Sequence, residues 1–182
     1  DFAEESYKRA LAATESGAFK DEIVPVEITD KKGTVTISED EDIRKGNAEK
    51  GRKLKPSFEK EGTITAFNAS SINDGAAAVV IMSADKAKEL GLTPIAKILG
   101  QISFAQSPEK FTTAPAYAIQ NLLKKVNLTV NDLDLVEANE AFAVQACAVN
   151  QIAGLDSSKV NVNGGAVAIG HPIGASGARI LT

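Results

Sequence analysis

The sequence predicts an α/β protein, and three observations support this fold class. Segments with helical periodicity alternate along the chain with short apolar segments typical of strands, which is the order found in α/β folds. Hydrophobic residues make up 43% of the 182 residues, enough for a sizeable core, while aromatic residues make up only 5%. Glycine- and asparagine-rich turns separate the segments. We therefore expect an aliphatic core between helices and strands.

The first half of the chain is predicted to hold two helices and three strands. An amphipathic helix covers residues 2–19, with Gly17 as its stop signal. A second helix, 83–91, has a serine at its start and a glycine at its end. The predicted strands are 23–28, 63–67 and the continuous apolar run 76–82, which is typical of a buried strand.

The second half repeats the alternation. We expect strands at 95–102 and 135–138, helices at 114–126 and 141–152, and a β-like run at 166–169 that leads into a Gly/Pro turn and a further helix. A domain boundary is placed near residues 91–95.

Charge is concentrated in the first third, since residues 1–60 carry 26 of the 44 charged side chains. The polar segment 29–53 predicts a solvated loop. Residues 44–60 contain seven cationic and two anionic side chains. This basic run is either a mobile surface or a surface that receives an anion such as a phosphorylated ligand. The net charge of −4 does not indicate nucleic-acid binding.

Cysteine and hydropathy limit the class of protein further. The single cysteine, Cys147, rules out an intrachain disulfide framework, and we expect it to be a buried small apolar residue. No apolar run reaches the length of a membrane span, and no signal peptide opens the chain. We expect an intracellular protein, in the cytoplasm rather than in mitochondria or peroxisomes.

The only histidine, His171, stands in a segment rich in glycine, 163–179. One imidazole beside tightly packed backbone is a common setting for proton transfer. His171 could equally be a structural hydrogen-bonding residue in a tight turn. The spacing Gly-x-x-x-Gly-x-x-Gly differs from the dinucleotide-binding pattern, so that interpretation is weak.

Three motifs in this order resemble the thiolase superfamily, and in particular its acetoacetyl-CoA branch. They are Asn-Ala-Ser at 68–70 with Asn-Asp-Gly at 73–75, Asn-Glu-Ala-Phe at 139–142, and Asn-Gly-Gly-Ala at 163–166 with Gly-His-Pro-Ile-Gly at 170–174. The resemblance covers the whole chain.

The resemblance implies a layered α-β-α-β-α fold, present here in part. Residues 1–65 would belong to a loop domain that binds coenzyme A, residues 66–91 would end the N-terminal domain, and residues 92–182 would form a truncated C-terminal domain. A homo-oligomer, a dimer or tetramer, is also implied.

The resemblance further implies acetyl-CoA C-acetyltransferase chemistry through an acyl-cysteine, with coenzyme A thioesters as substrates and no bound metal or other cofactor. His171 would be the base, and Asn139 would hold a water in an oxyanion hole. The positions that match the substrate-binding residues of the family are Arg44, Ser57, Phe58, Ala66, Ser70, Phe111, Ala141, Phe142 and Gly170.

Both cysteines of the family's active site would lie outside this chain, one before Asp1 and one beyond Thr182. We therefore expect the chain to be a fragment that is inactive alone. Two alternatives stay open: a degradative 3-ketoacyl-CoA thiolase for longer chains, and a non-catalytic fragment that binds coenzyme A.

Overall fold

The computed structural model describes residues 1–182, which form seven helices, one β-hairpin and three short 3-10 helices. The helices are α1 (Phe2–Ser16), α2 (Ala48–Gly51), α3 (Ala84–Glu89), α4 (Ala114–Lys125), α5 (Ala143–Ala153), α6 (Ala166–Ile169) and α7 (Ser176–Arg179). The strands are β1 (Val26–Asp30) and β2 (Gly33–Ile37), and the 3-10 helices are Ile43–Lys45, Pro108–Thr113 and Val130–Asp132. None of the helices combines the length and the apolar character needed to cross a membrane.

Helix α1 ends where the sequence predicts, at Gly17. This glycine takes the left-handed conformation (φ 79°), and its N–H bonds to the carbonyls of Ala13 and Thr14, which satisfies the last turn. One face of α1 is buried by Ala3, Ser6, Ala10 and Ala13. This face packs on α5 and α6.

The other long predicted helices are confirmed, with small shifts at their ends. Helix α3 begins after Ser83, whose hydroxyl accepts a hydrogen bond from Lys86 N at 3.2 Å. Helix α4 has Pro115 in its first turn, where the absent N–H is not missed. Helix α5 covers residues 143–153 and packs against α4.

The core consists mainly of aliphatic side chains together with Phe19, in two clusters of five buried residues and one of three. The first cluster joins α1 to the 3-10 helix Ile43–Lys45 and to α6, and the second joins α4 to α5 and the segment around Val160. The third, Ala3, Ala143 and Val167, lies where α1, α5 and α6 meet. Helix α6, which precedes the only histidine, is therefore packed into the core.

The predicted loop 29–53 is more structured than expected. Strands β1 and β2 form an antiparallel hairpin, with register from Val26↔Ile37 to Asp30↔Gly33. The first predicted strand, 23–28, begins later, at Val26, directly after Pro25. The polar composition misled the prediction because every residue of the hairpin is exposed.

The predictions of strands at 63–67, 76–82, 95–102 and 135–138 are wrong for this chain. No backbone hydrogen bond joins residues 76–82 or 95–102 to another segment, and Val80 and Ile95 are 88% and 104% exposed. The last segment makes only a single parallel bridge, Val136↔Val160. A strand requires a neighbouring strand, and no other segment of the structure pairs with these four segments as a strand.

The β-like run before His171 is also not a strand but the short helix α6. The N–H groups of Ala168 and Ile169 both bond to the carbonyl of Gly165, at 2.9 and 3.0 Å. Four apolar residues fit either a strand or a buried helical turn, so periodicity could not decide.

We predict that Gly165→Ala destabilises the fold by about 1–3 kcal/mol. A Cβ at this position would overlap the carboxyl of Glu140, which is buried and held by hydrogen bonds, so it could not move aside freely. Thermal unfolding followed by circular dichroism would measure the loss.

The matched control is Gly174→Ala, because a Cβ there meets no atom within 4 Å. It should unfold close to the wild-type temperature. Equal melting temperatures for Gly165→Ala and the wild type would contradict the close packing described.

Candidate active site

The candidate site is built around His171, which follows the last residue of a tight turn. Gly170 ends α6 with φ 102°, a conformation that side chains with a Cβ rarely adopt. A Cβ on Gly170 would also overlap the side chain of Asn73. Both facts explain why glycine precedes the histidine.

The backbone of His171 is fixed by the segment around Ser71 and Asn73. His171 N donates to Ser71 O at 2.9 Å and also lies 3.3 Å from Asn73 Oδ1. A parallel bridge pairs Ile72 with His171. The Asn-Asp-Gly motif and the Gly-His-Pro motif therefore meet in space.

Asp42 supports this junction from the loop that follows β2. Its Oδ2 accepts from Ser71 Oγ at 2.7 Å and from Asn73 Nδ2 at 3.1 Å. Its Oδ1 accepts from Lys45 Nζ at 2.9 Å. The hydrogen bond from Lys45 is the main cause that holds the pKa of the Asp42 carboxyl below its usual range. Burial opposes it, and the donors Ser71 and Asn73 lower the pKa further.

The tautomer of the His171 imidazole is assigned from the two contacts of Ser176. Its Nδ1 lies 2.7 Å from Ser176 Oγ, and Ser176 Oγ also lies 3.1 Å from Pro172 O. The hydroxyl has one hydrogen, which it donates to the carbonyl, so it accepts from Nδ1–H. The unprotonated nitrogen is therefore Nε2.

The Nε2 atom faces Asn139, the residue that follows the segment 135–138. Asn139 Nδ2 lies 3.4 Å from His171 Nε2, longer than a strong hydrogen bond. The amide thus points at the free nitrogen but is only weakly held by it. Both side chains are partly exposed, which gives a base and a donor access to a ligand.

A second group of predicted residues lies beside this pair. Ser70 donates through both its N–H (3.1 Å) and its hydroxyl (2.9 Å) to Ala141 O. The rings of Phe58 and Phe142 meet edge to face with centroids 6.1 Å apart. The exposed side chain of Phe58 is free on its other face.

The remaining predicted substrate-binding residues make their contacts outside the His171–Asn139 pair. Arg44 bonds to Glu39 and lies 3.9 Å from Glu15. Ser57 N bonds to Ile64 O, and Ala66 lies in an exposed turn. Phe111 is 63% exposed in the 3-10 helix Pro108–Thr113. Their roles in binding stay predictions.

Sequence reasoning missed four residues that organise the site: Asp42, Asn73, Ser176 and Glu140. Asn73 and Glu140 stand inside the quoted motifs, and Ser176 stands in the glycine-rich segment 163–179, so their positions in these segments could have marked them. Asp42 lies in an acidic run that resembles any solvated segment, so no local signal distinguished it.

The prediction that Cys147 is buried is wrong. Cys147 is exposed, because α5 buries Ala146, Val149 and Asn150 and leaves Cys147 on another face. It lines a cavity of about 390 Å³ with Phe2, Arg52 and Phe67, and no hydrogen bond joins it to His171. Within residues 1–182, no cluster of His, Cys, Asp or Glu is arranged to hold a metal ion.

Comparison with known proteins identifies the class to which this fold and site belong. Residues 1–85 match the model of the thiolase N-terminal domain, and residues 92–182 match that of the thiolase C-terminal domain. The chain belongs to the thiolase family, as its motifs predict.

Individual relatives agree with this assignment. The chain is 58% identical over 181 residues to an acetyl-CoA acetyltransferase of Yarrowia lipolytica and 53% identical over 184 residues to acetyl-CoA acetyltransferase 2 of Arabidopsis thaliana, with 100% of the chain and 46% of each relative covered.

Two solved structures have the same fold. The acetyl-CoA acetyltransferase of Bacillus anthracis superposes with a TM-score of 0.94 at 49% identity, over 98% of this chain and 46% of its own. Human mitochondrial 3-ketoacyl-CoA thiolase superposes with a TM-score of 0.91 at 45% identity, over 99% of this chain and 46% of its own length. The predicted fold class is confirmed, and the chain spans about half the length of the relatives it matches.

We predict that Asp42→Asn lowers the free energy of unfolding at pH 7 by about 1–3 kcal/mol, the range for a hydrogen-bonded charged group. An Asp with a lowered pKa stabilises the fold above its unfolded value, near 3.8, and this contribution is lost as the pH falls through the lower folded value. The difference in the free energy of unfolding between Asp42→Asn and the wild type should therefore become smaller below about pH 4. Urea unfolding at pH 7 and pH 3 measures it.

Glu41→Gln is the control for this prediction. It removes the same charge one residue away, on a side chain that is 79% exposed and 3.3 Å from Lys45. Its effect at pH 7 should be much smaller. A difference for Asp42→Asn that stays constant between the two pH values would be the contrary result.

Proposed function

We propose that this chain supplies the base and one oxyanion donor of an acetyl-CoA acetyltransferase that condenses two acetyl-CoA molecules or cleaves acetoacetyl-CoA. The single observation that carries the proposal is the paired geometry of His171 and Asn139. The unprotonated Nε2 faces an amide donor, while Nδ1 is occupied by Ser176. The names of the relatives, acetyl-CoA acetyltransferases at 50–58% identity, support the same activity.

His171 is suited to remove a proton from a thiol. A thiol attacks a thioester only as thiolate, and a neutral imidazole nitrogen can take its proton. The thiolate then forms a bond to the carbonyl carbon as the bond to the departing group breaks, which leaves an acyl-cysteine. We place the nucleophilic cysteine outside residues 1–182, because Cys147 has no contact with His171.

Asn139 is suited to stabilise the oxyanion of this step. Negative charge develops on the thioester oxygen, and a donor already aimed at it lowers the barrier. The long 3.4 Å contact to His171 leaves the Asn139 amide able to bind that oxygen directly or through a water. Once protonated, His171 Nε2–H would donate beside it.

The acyl-CoA substrate would lie across the surface that contains Ser70, Ala141 and Phe142. Phe58 and Phe142 offer apolar faces for the pantetheine arm, and Arg44 offers a cation for a phosphate. Arg44 is paired with Glu39, so an incoming phosphate must compete with a carboxylate.

We predict that the 182-residue chain alone does not cleave acetoacetyl-CoA, because it holds the base without the nucleophile. In the protein encoded by the complete gene, His171→Ala should lower kcat by about 10²- to 10⁴-fold, the usual range for a general base. The assay follows loss of acetoacetyl-CoA in the presence of coenzyme A.

The control for this assay is Asn163→Ala, an exposed residue of the same glycine-rich segment whose side chain makes no hydrogen bond. Clear turnover by the 182-residue chain, or full activity of His171→Ala, would contradict the proposal. Faster cleavage of longer 3-ketoacyl thioesters than of the four-carbon substrate would favour the degradative alternative.

We predict that Glu39→Gln tightens coenzyme A binding by up to about fivefold, because Glu39 competes for Arg44 in an ion pair that is exposed and therefore weak. Arg44→Ala should weaken binding and reduce its salt dependence. Isothermal titration calorimetry with coenzyme A at two salt concentrations measures both effects.

Lys53→Ala is the matched control, since Lys53 belongs to the same basic run but pairs with Glu49 on an exposed surface. It should bind coenzyme A like the wild type. Equal affinities for the wild type, Arg44→Ala and Glu39→Gln would exclude Arg44 from the binding surface.

Three features of the proposal rest on sequence alone. They are the division of the chain at residues 65 and 91, assembly of the protein into a dimer or tetramer, and location in the cytoplasm. Coenzyme A as the only further molecule required is likewise a proposal.

A further inference from the structure

The carboxylate of Glu140 is buried without a cation. Its side chain is 1% exposed, and no Lys, Arg or His nitrogen lies within 4.0 Å of it. Burying such a group costs several kcal/mol unless its neighbours compensate. The chemistry proposed above assigns it no part, although it is adjacent to Asn139.

Three hydrogen-bond donors from three separate segments surround this carboxylate. Oε2 accepts from Ser6 Oγ in α1 at 2.7 Å and from Val167 N in α6 at 3.2 Å. Oε1 accepts from Asn161 Nδ2 at 2.9 Å. Every partner donates and both oxygens accept, so the pocket fits a carboxylate and not an amide.

One of these donors fixes the segment that carries Asn139. Asn161 bonds to both backbone polar groups of Ala138, with Oδ1 to Ala138 N and Nδ2 to Ala138 O at 2.8 Å each. Asn161 has φ 48°, an uncommon conformation that these contacts maintain. Asn139 therefore lies between two residues that Asn161 holds.

The other donors fix the segment that carries His171. Val167 lies in α6, which ends at Gly170 directly before the histidine. Ser6 Oγ, which donates to Glu140, also accepts from Gly165 N at 3.0 Å, at the start of the same helix. One carboxylate thus connects the two backbone segments whose side chains meet at 3.4 Å.

We propose that Glu140 is a positioning residue that sets the orientation of Asn139 relative to His171. It does not touch the reacting atoms, and its catalytic importance rests on the proposed function. In Glu140→Gln, one carboxylate oxygen becomes an NH₂ group that must face a donor, either Asn161 Nδ2 or Ser6 and Val167. Loss of the Asn161 hydrogen bond would free the segment that carries Asn139, whereas loss of the Ser6 and Val167 hydrogen bonds would free the segment that carries His171.

The first test uses the fact that His171 is the only histidine in the chain. In ¹⁵N-labelled, untagged 182-residue protein, the ring nitrogens give signals from this one residue. The neutral ring of the wild type should show a protonated Nδ1 and an unprotonated Nε2. Glu140→Gln should move both ¹⁵N shifts toward each other, because a displaced ring loses its preference for one tautomer.

The control is Asn150→Asp, a buried polar residue of α5 that is 7% exposed and whose side chain bonds only to Ser157. It should reduce stability without changing the His171 signals. If Glu140→Gln does not fold, Ser6→Ala removes one donor and should produce a smaller change in the same direction. Unchanged signals of both the His171 ring nitrogens and the Asn139 side-chain amide in folded Glu140→Gln, or in folded Ser6→Ala if only that variant folds, would overturn the proposal.

The second test is kinetic and uses the protein from the complete gene. Glu140→Gln should lower kcat about 10- to 100-fold, as a displacement of about 1 Å does, with KM for the substrate changed less than about twofold. A fall in activity that matches only the loss of folded protein would refute positioning. A wild-type protein with no thiolase activity would refute the proposed function instead, and the NMR comparison would still decide whether Glu140 positions Asn139 relative to His171.

Discussion

The buried carboxylate of Glu140 is the contact on which the arrangement of the site depends. It attracts donors from α1, from the segment around Asn161 and from α6, so residues more than a hundred positions apart in sequence converge on two oxygen atoms. The close approach of Gly165 follows from it, since a side chain there would occupy the space of the carboxyl. The same contact favours a helix in the apolar run before His171, because in the helical conformation Val167 N donates to Glu140 Oε2.

The support of His171 comes from both parts of the chain that match separate thiolase domains. Ser71 and Asn73, within residues 1–85, hold its backbone, while Ser176, within 92–182, holds its ring. A neutral imidazole can accept a proton at Nε2 when its proton is on Nδ1. Ser176 Oγ favours this tautomer, because it donates its own hydrogen to Pro172 O and can accept from Nδ1–H. The orientation of the ring is thus a property of the junction between the two domains.

The fold could be predicted from the sequence where structure is local, and not where it depends on distant pairing. Helices α1, α3, α4 and α5 were predictable because caps such as Gly17 and Ser83 act within one turn. Residues 76–82 and 95–102 have the apolar character of strands, but a strand forms only through hydrogen bonds to a neighbour, which these residues lack here. Without that pairing, apolar side chains such as Val80 and Ile95 stay exposed.

The site was predictable to the extent that its residues stand in distinctive motifs. His171 and Asn139 are named by their motifs, and the structure brings them within 3.4 Å of each other. The supporting residues were not predictable. The role of Asp42 or Glu140 depends on which hydrogen-bond donors surround its carboxylate in the fold, and the sequence does not show which donors these are. Glu140 follows Asn139 directly, yet its side chain is buried, whereas the Asn139 side chain is partly exposed. Adjacent residues of one motif can therefore serve different ends: one is left accessible for chemistry, and the next fixes where the first one lies.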